Sequence, residues 1–370
     1  MDPMTFVANP SQNGSLSRPE NDMLSSLPSR RAVLTGLTGL AAGALFPWAR
    51  AGAQRSSDNP RCIDVHQHFV SPDYIALLGR KRMGGGPQWK DYTPSRNLED
   101  MDKAGIATAM VSPTAPSVWF GDVEESRRAA REINEYAAAK MVGNYKGRFG
   151  LFAALPVPDV DGSLKEVEYA FETLKADGVA MLTSYDNKWL GDKAFDPLFD
   201  ELNRRKAVVY THPLAISCCT NLIQGVQSQI LEYPTDTTRA IMSLIVSGTA
   251  MRCPDIKFIF SHAGGTLVSV AGRFLGPAGN GENITKPGEP NSRLSQLRRF
   301  YYDTAQSTNP VLMHSLKTLV PPSQIVFGTD FPFANPAAQL AGLKTSGLST
   351  EELQGIYRDN AARILPQYKG

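Results

Sequence analysis

The chain has 370 residues, 42% of them hydrophobic and 20% charged, with a formal charge of +2. That balance supports a large buried core and excludes a disordered or fibrous chain. It carries no long basic run and no basic-aromatic alternation, which argues against a nucleic-acid groove and leaves a small molecule as the expected partner.

The first fifty-odd residues differ from the rest. Arg30 and Arg31 precede an apolar run over residues 32–46, and Ala51, Gly52 and Ala53 supply small side chains before Gln54. The pattern predicts a twin-arginine (Tat) export signal over residues 1–53, cleaved to leave residues 54–370 in the periplasm, with the Tat export machinery as a partner. The apolar run is shorter than the roughly 20 residues that cross a bilayer, so a permanent anchor is the weaker reading. An ordinary secretory signal is the other alternative. The four cysteines, Cys62, Cys218, Cys219 and Cys253, form no CxxC pair. They are expected to be packing residues, because adjacent cysteines rarely bond each other, although an oxidising compartment permits a bridge.

Eight β-rich runs follow in order: "CIDVHQHFV" from Cys62, "TAMVSP" from Thr108, "FGLFAALP" from Phe149, "GVAMLTS" from Gly178, "AVVYTHP" from Ala207, "IKFIFSHAG" from Ile256, "FYYDTA" from Phe300 and "IVFGTDFPF" from Ile325. Amphipathic patterns such as "NLEDMDKAG", "ESRRAAREINEYAAAKMVGNY" and "FDPLFDELNRRK" lie between them. Near-continuous apolar strands alternating with helices predict an α/β fold with a covered parallel sheet. The expectation is a single distorted (β/α)8 TIM-like barrel with inserted loops. A doubly wound open sheet is the competitor, but no glycine-rich dinucleotide loop follows the first run. Residues 80–96 and 276–293 are irregular and are expected to be long loops over the barrel mouth.

Chemistry gathers at the ends of these runs. In a strand, residues two apart point the same way, so His66 and His68 can converge on one ion. His212 ends the fifth run, His262 the sixth and Asp330 the eighth. Active sites of such barrels lie at the strand C-termini, and imidazoles with one carboxylate suit a divalent metal, Zn²⁺ first and Mn²⁺ second. The fifth histidine, His314, falls in a helical pattern and is expected on the surface or in packing.

With the motifs "DVHQH", "THP", "SHAGG" and "GTDFPF", residues 61–366 resemble the amidohydrolase-related, metal-dependent decarboxylases of the aminocarboxymuconate-semialdehyde decarboxylase type. The resemblance implies one metal held by His66, His68, His212 and Asp330, with His262 beside it as a general acid/base and Asp330 as the proton donor. No lysine stands at the end of "GVAMLTSYD", which favours a mononuclear site. The resemblance also implies that Arg273 grips a substrate carboxylate. At the place of the family's other carboxylate-binding arginine this chain has Asn97, with Arg96 one residue off. That departure points away from the muconate semialdehyde and toward a simpler aromatic acid, and "GNYKGRFGLFAALP" is similar to the 6-methylsalicylate decarboxylase branch.

The expected function is therefore non-oxidative decarboxylation of a hydroxybenzoate-type acid chelated to the metal. The alternative is a metal-dependent hydrolase of an ester, lactone or amide, since the same parts serve both. A non-catalytic binding or metal-storage protein is a third reading. Trp119, Phe120, Trp189 and Phe331 are candidates for an apolar pocket wall, Phe331 foremost because it follows Asp330. A homodimer is expected by resemblance only.

Overall fold

A computed structural model of the chain describes residues 61–83, 86–220 and 222–369; the predicted export signal lies outside them. Eight parallel strands occur where the sequence places them: β1 (Cys62–His68), β2 (Ile106–Ser112), β3 (Phe149–Ala154), β4 (Gly178–Leu182), β5 (Val208–His212), β6 (Lys257–Phe260), β7 (Tyr301–Asp303) and β8 (Ile325–Val326). They are hydrogen-bonded in sequence order, as expected when each crossover returns beside its own strand.

The barrel closes just beyond β8. The Val65 N–H donates to the Phe327 carbonyl at 2.9 Å, the Asp330 N–H to the His66 carbonyl at 2.8 Å, and the His68 N–H to the Phe331 carbonyl at 2.8 Å. This seam sets Asp330 beside the β1 histidines, 265 positions away in the chain for the Thr329–Asp64 pair that reinforces it.

Strand alternation decides what faces inward. In β5, Val208 and Tyr210 join Ile63, Met110, Phe152 and Ile259 inside the barrel. Val209 instead packs outward against the helical layer. His212 continues the inward set at the strand's C-terminal end.

Helices start where the sequence supplies caps. Thr93 caps Pro94–Ala104, whose end is set by Gly105 at φ 74°, and Asp122 caps Val123–Tyr136. The "AAAKMVG" continuation of the latter is a π-helical turn, Ala137–Gly143. A two-stranded hairpin, Ser184–Tyr185 with Lys188–Trp189, follows β4 and turns on Asp186 and Asn187, both at positive φ, a conformation Asp and Asn tolerate best after glycine. Among the described residues no helix is long and apolar enough to cross a membrane.

Two expectations need correction. Residues 276–293 connect the helix Leu267–Leu275 to β7, so they lie at the face opposite the mouth. There Arg298 donates to the carbonyls of Ile284, Lys286 and Leu319. Only residues 80–96 reach toward the site, through Trp89. The cysteines also differ: Cys62 and Cys253 are buried and free, whereas Cys218 and Cys219 are bonded to each other on the connection after β5.

Candidate metal centre

Four side chains from three strand ends meet at the C-terminal mouth. Donor atoms of His66, His68, His212 and Asp330 all lie within 4.8 Å of one another, and all four residues are buried. His66 Nε2 is 3.1 Å from His68 Nε2, and Asp330 Oδ1 is 3.2 and 3.1 Å from those two nitrogens. Donors each about 2.0–2.2 Å from a shared ion stand roughly 3.0–3.4 Å apart, so the spacing fits one divalent cation.

Hydrogen bonds on the far side of each ring fix which nitrogen faces inward. His66 Nδ1 donates to Asp303 Oδ2 at 2.8 Å, His68 Nδ1 to the Ser112 carbonyl at 3.3 Å, and His212 Nδ1 to the Pro213 carbonyl at 2.8 Å. Every Nδ1 therefore carries its proton, and the Nε2 lone pairs point at one another and at Asp330 Oδ1. That oxygen is buried and has no hydrogen-bond partner. Four electron-rich atoms facing each other, three imidazole nitrogens and one carboxylate oxygen, need a positive charge between them.

Without an ion, a proton fills that need. Burial pushes the His66 imidazole down, but the carboxylates of Asp303 and Asp330 prevail and raise it to about 10. Burial lowers His68, and burial with the neighbouring imidazoles His68 and His66 holds His212 well below its ordinary value. Burial would raise Asp330, yet His66, His68 and His262 keep its carboxyl well below the usual carboxylate range. The site is thus primed to exchange a proton for a metal ion.

Around this cluster the backbone is held in unusual shapes. His262 (φ 56°), Ala263 (φ 57°) and Asp330 (φ 66°) are left-handed. Such positions cost on the order of 1–3 kcal/mol each and persist only when the surroundings impose them. The turn at "SHAGG" requires glycine, because a Cβ on Gly265, at φ 70°, would meet the Pro234 carbonyl oxygen at 1.9 Å. This turn brings the His262 ring to 5.0 Å from that of His66 and His262 Nε2 to 3.9 Å from Asp330 Oδ2. His262 is the one histidine of the cluster left partly open to the mouth.

The structure therefore brings together His66, His68, His212, His262 and Asp330. It does not bring the other candidates into the cluster. Arg96 is exposed and pairs with Asp100 at 3.7 Å on its own helix. Arg273 is exposed in the last turn of Leu267–Leu275, with no described contact to the cluster. The indole N–H of Trp189 donates to buried Asp236 at 2.8 Å, which anchors the hairpin after β4. Phe331 is buried beside the seam, and of the two phenylalanines in "DFPF" it is Phe333 whose ring packs on a cluster imidazole, 5.7 Å from His68 and backed by Trp89 at 5.4 Å. His314 is exposed, as expected.

Sequence reasoning missed Asp303, Gln306, Tyr233 and Phe333. Gln306 Nε2 donates to Asp330 Oδ2, and the Tyr233 ring lies 6.2 Å from His212. Asp303 ends "FYYDTA", and an acidic residue at a barrel strand terminus was the available signal.

A closed parallel barrel with a three-histidine, one-carboxylate cluster at its C-terminal mouth defines a (β/α)8 protein with a candidate site for one metal ion. Residues 63–367 match the amidohydrolase family model, and the chain belongs to that family. It is 37% identical over 330 residues to the decarboxylase yanB of Aspergillus niger, covering 83% of this chain and 88% of that one. It is 36% identical over 325 residues to the 6-methylsalicylic acid decarboxylase of Penicillium expansum, covering 83% and 97%. A solved dihydroxybenzoic acid decarboxylase from Polaromonas, with bound manganese, shares the fold at a TM-score of 0.72 and 20% identity, covering 84% of this chain and 98% of that chain.

Proposed function

We propose that the protein is a metal-dependent decarboxylase of a small hydroxybenzoate-type acid. The observation that carries this reading is the inward-facing set of His66, His68, His212 and Asp330, in a chain that over 83% of its length is similar to a 6-methylsalicylic acid decarboxylase. One divalent ion, Zn²⁺ or Mn²⁺, would be held by these four residues and would supply charge neutralisation for a phenolate and an adjacent carboxylate.

The protein's own groups then divide the work. Asp330 presents Oδ1 to the imidazoles and Oδ2 to His262 and Gln306. Because its carboxyl starts ionised, a proton it passes on must come from a neighbour, and His262 is the neighbour open to solvent. His262 supplies the proton through Asp330 to the ring carbon that bears the carboxylate. The bond from that carbon to the carboxylate then breaks, CO₂ leaves, and its electron pair restores the aromatic ring. Phe333 and Trp89 form an apolar wall on the His68 side that suits the ring.

Export by the Tat route and a periplasmic site of action are part of the proposal and rest on Arg30, Arg31 and the apolar run that follows. The test of the chemistry is CO₂ trapping from a panel of ortho-hydroxybenzoates, run beside chromogenic esters and lactones. Metal-dependent CO₂ release supports decarboxylation. Ester or lactone cleavage without CO₂ from any acid would assign the hydrolase alternative.

A further inference from the structure

Asp303 is fully buried at the end of β7 and uses its two oxygens for different partners. Oδ2 accepts the His66 Nδ1 proton at 2.8 Å. Oδ1 accepts the backbone N–H of His262 at 2.9 Å and that of Ala305 at 3.0 Å. The Ala305 carbonyl in turn accepts from His262 Nδ1 at 3.0 Å. His262 is thereby held at both its backbone and its ring by groups that Asp303 organises.

An aspartate that served only its own turn would be satisfied by the Ala305 N–H two residues on. Here the second oxygen reaches a metal-site imidazole 237 positions away. The approach is close enough that a Cβ on Gly328 would fall 2.9 Å from His66 Cβ and 3.0 Å from Asp303 Cβ, so glycine is required where β8 exits.

We propose that Asp303 is a positioning residue shared by the two halves of the centre: one oxygen sets the His66 tautomer that leaves Nε2 free for the metal, and the other sets the left-handed turn that presents His262. The inference rests on the reading of His262 as the acid/base group, but its metal half does not require turnover. Carboxylates behind metal-bound histidines typically govern 10–100-fold in metal affinity.

The test compares wild-type protein with Asp303→Ala and Asp303→Asn by Mn²⁺ titration, by the ring N–H signals of ¹⁵N-histidine-labelled Zn²⁺-loaded protein, and by kcat at saturating Mn²⁺ on whichever acid releases CO₂. With five histidines in the chain the ring signals are assignable by substitution. Asp303→Ala should weaken Mn²⁺ 10- to 100-fold, expose the Nδ1–H protons of both His66 and His262 to rapid exchange, and leave a kcat deficit that added metal does not restore. Asp303→Asn should weaken Mn²⁺ as well, because an amide cannot accept on both sides. Wild-type metal affinity, or loss confined to His66 with His262 signals and kcat unchanged, overturns the shared role. If neither variant folds, the wild-type spectrum decides: metal on His66 Nε2, with a slowly exchanging proton on Nδ1 of both His66 and His262, is expected, and metal on His66 Nδ1 or a rapidly exchanging His262 Nδ1 proton contradicts the proposal. A protein that releases CO₂ from no acid but passes the Mn²⁺ and ring-signal tests would fail the decarboxylase reading alone.

Discussion

At the scale of single residues, the centre is expected to exchange a proton for a metal ion. His66, raised to about 10 by Asp303 and Asp330 against burial, is protonated in the metal-free protein at neutral pH. A metal must displace that proton, so apparent affinity should climb about tenfold per pH unit below that value. Competition with a chelator at pH 6, 7 and 8 measures the slope, and a flat profile would mean that His66 is already neutral. A second expectation concerns Phe333, whose ring rests on His68 yet is 44% exposed. Phe333→Ala should raise KM by a factor of roughly 2–10, from the loss of an aromatic contact worth about 0.5–1.5 kcal/mol, with little change in unfolding midpoint. An unchanged KM would remove Phe333 from the substrate wall. The four clustered residues themselves were legible because each lies at the end of an apolar run. Phe333 was not, since nothing in "DFPF" tells which phenylalanine turns back over the mouth. Arg96 and Arg273 stand outside the cluster because the helices that carry them turn these positions to solvent.

At the scale of elements, the mouth depends on turns whose shape only certain residues allow. Gly265→Ala should destabilise the protein by about 2–4 kcal/mol, because the added Cβ meets the Pro234 carbonyl at 1.9 Å on a left-handed backbone. The lowered denaturant midpoint reports it, and an unchanged midpoint would show that the turn relaxes freely. On the outer layer, Glu201 in the helix Asp196–Arg204 bridges Arg204 and Arg205. The Arg204 contact, with Arg205 adding to it against burial, lowers its carboxyl from 4.5 to about 2. A depressed carboxylate contributes stability above its unfolded value that is lost as pH falls from 4.5 toward 2. Glu201→Gln should therefore cost under about 1 kcal/mol at pH 7, discounted for its partial exposure, and nothing near pH 2. A loss independent of pH would point to packing instead. All eight strands were legible, even the two-residue β8, since the apolar run and its terminal chemistry extend beyond the hydrogen-bonded core. The hairpin after β4 and the destination of residues 276–293 were not, because both depend on which end of the barrel a connection leaves from. The bonded Cys218–Cys219 pair went against a general rarity that no local pattern could override.

For the whole molecule, closure matters most: the seam between β1 and the exit from β8 sets the outermost motifs of the domain, "DVHQH" and "GTDFPF", against each other, so the site exists only in the complete barrel. Loss of the metal should then lower the unfolding temperature of the whole domain by mass action, the more so the tighter the ion binds. The most direct measurement is the metal content of purified protein equilibrated with Zn²⁺ or Mn²⁺, compared with a His66→Ala/His68→Ala variant that remains folded. One tightly held ion per chain, lost in the variant, is the expected result. Two ions per chain, or one ion retained when both histidines are gone, would contradict a single centre built on β1 and Asp330.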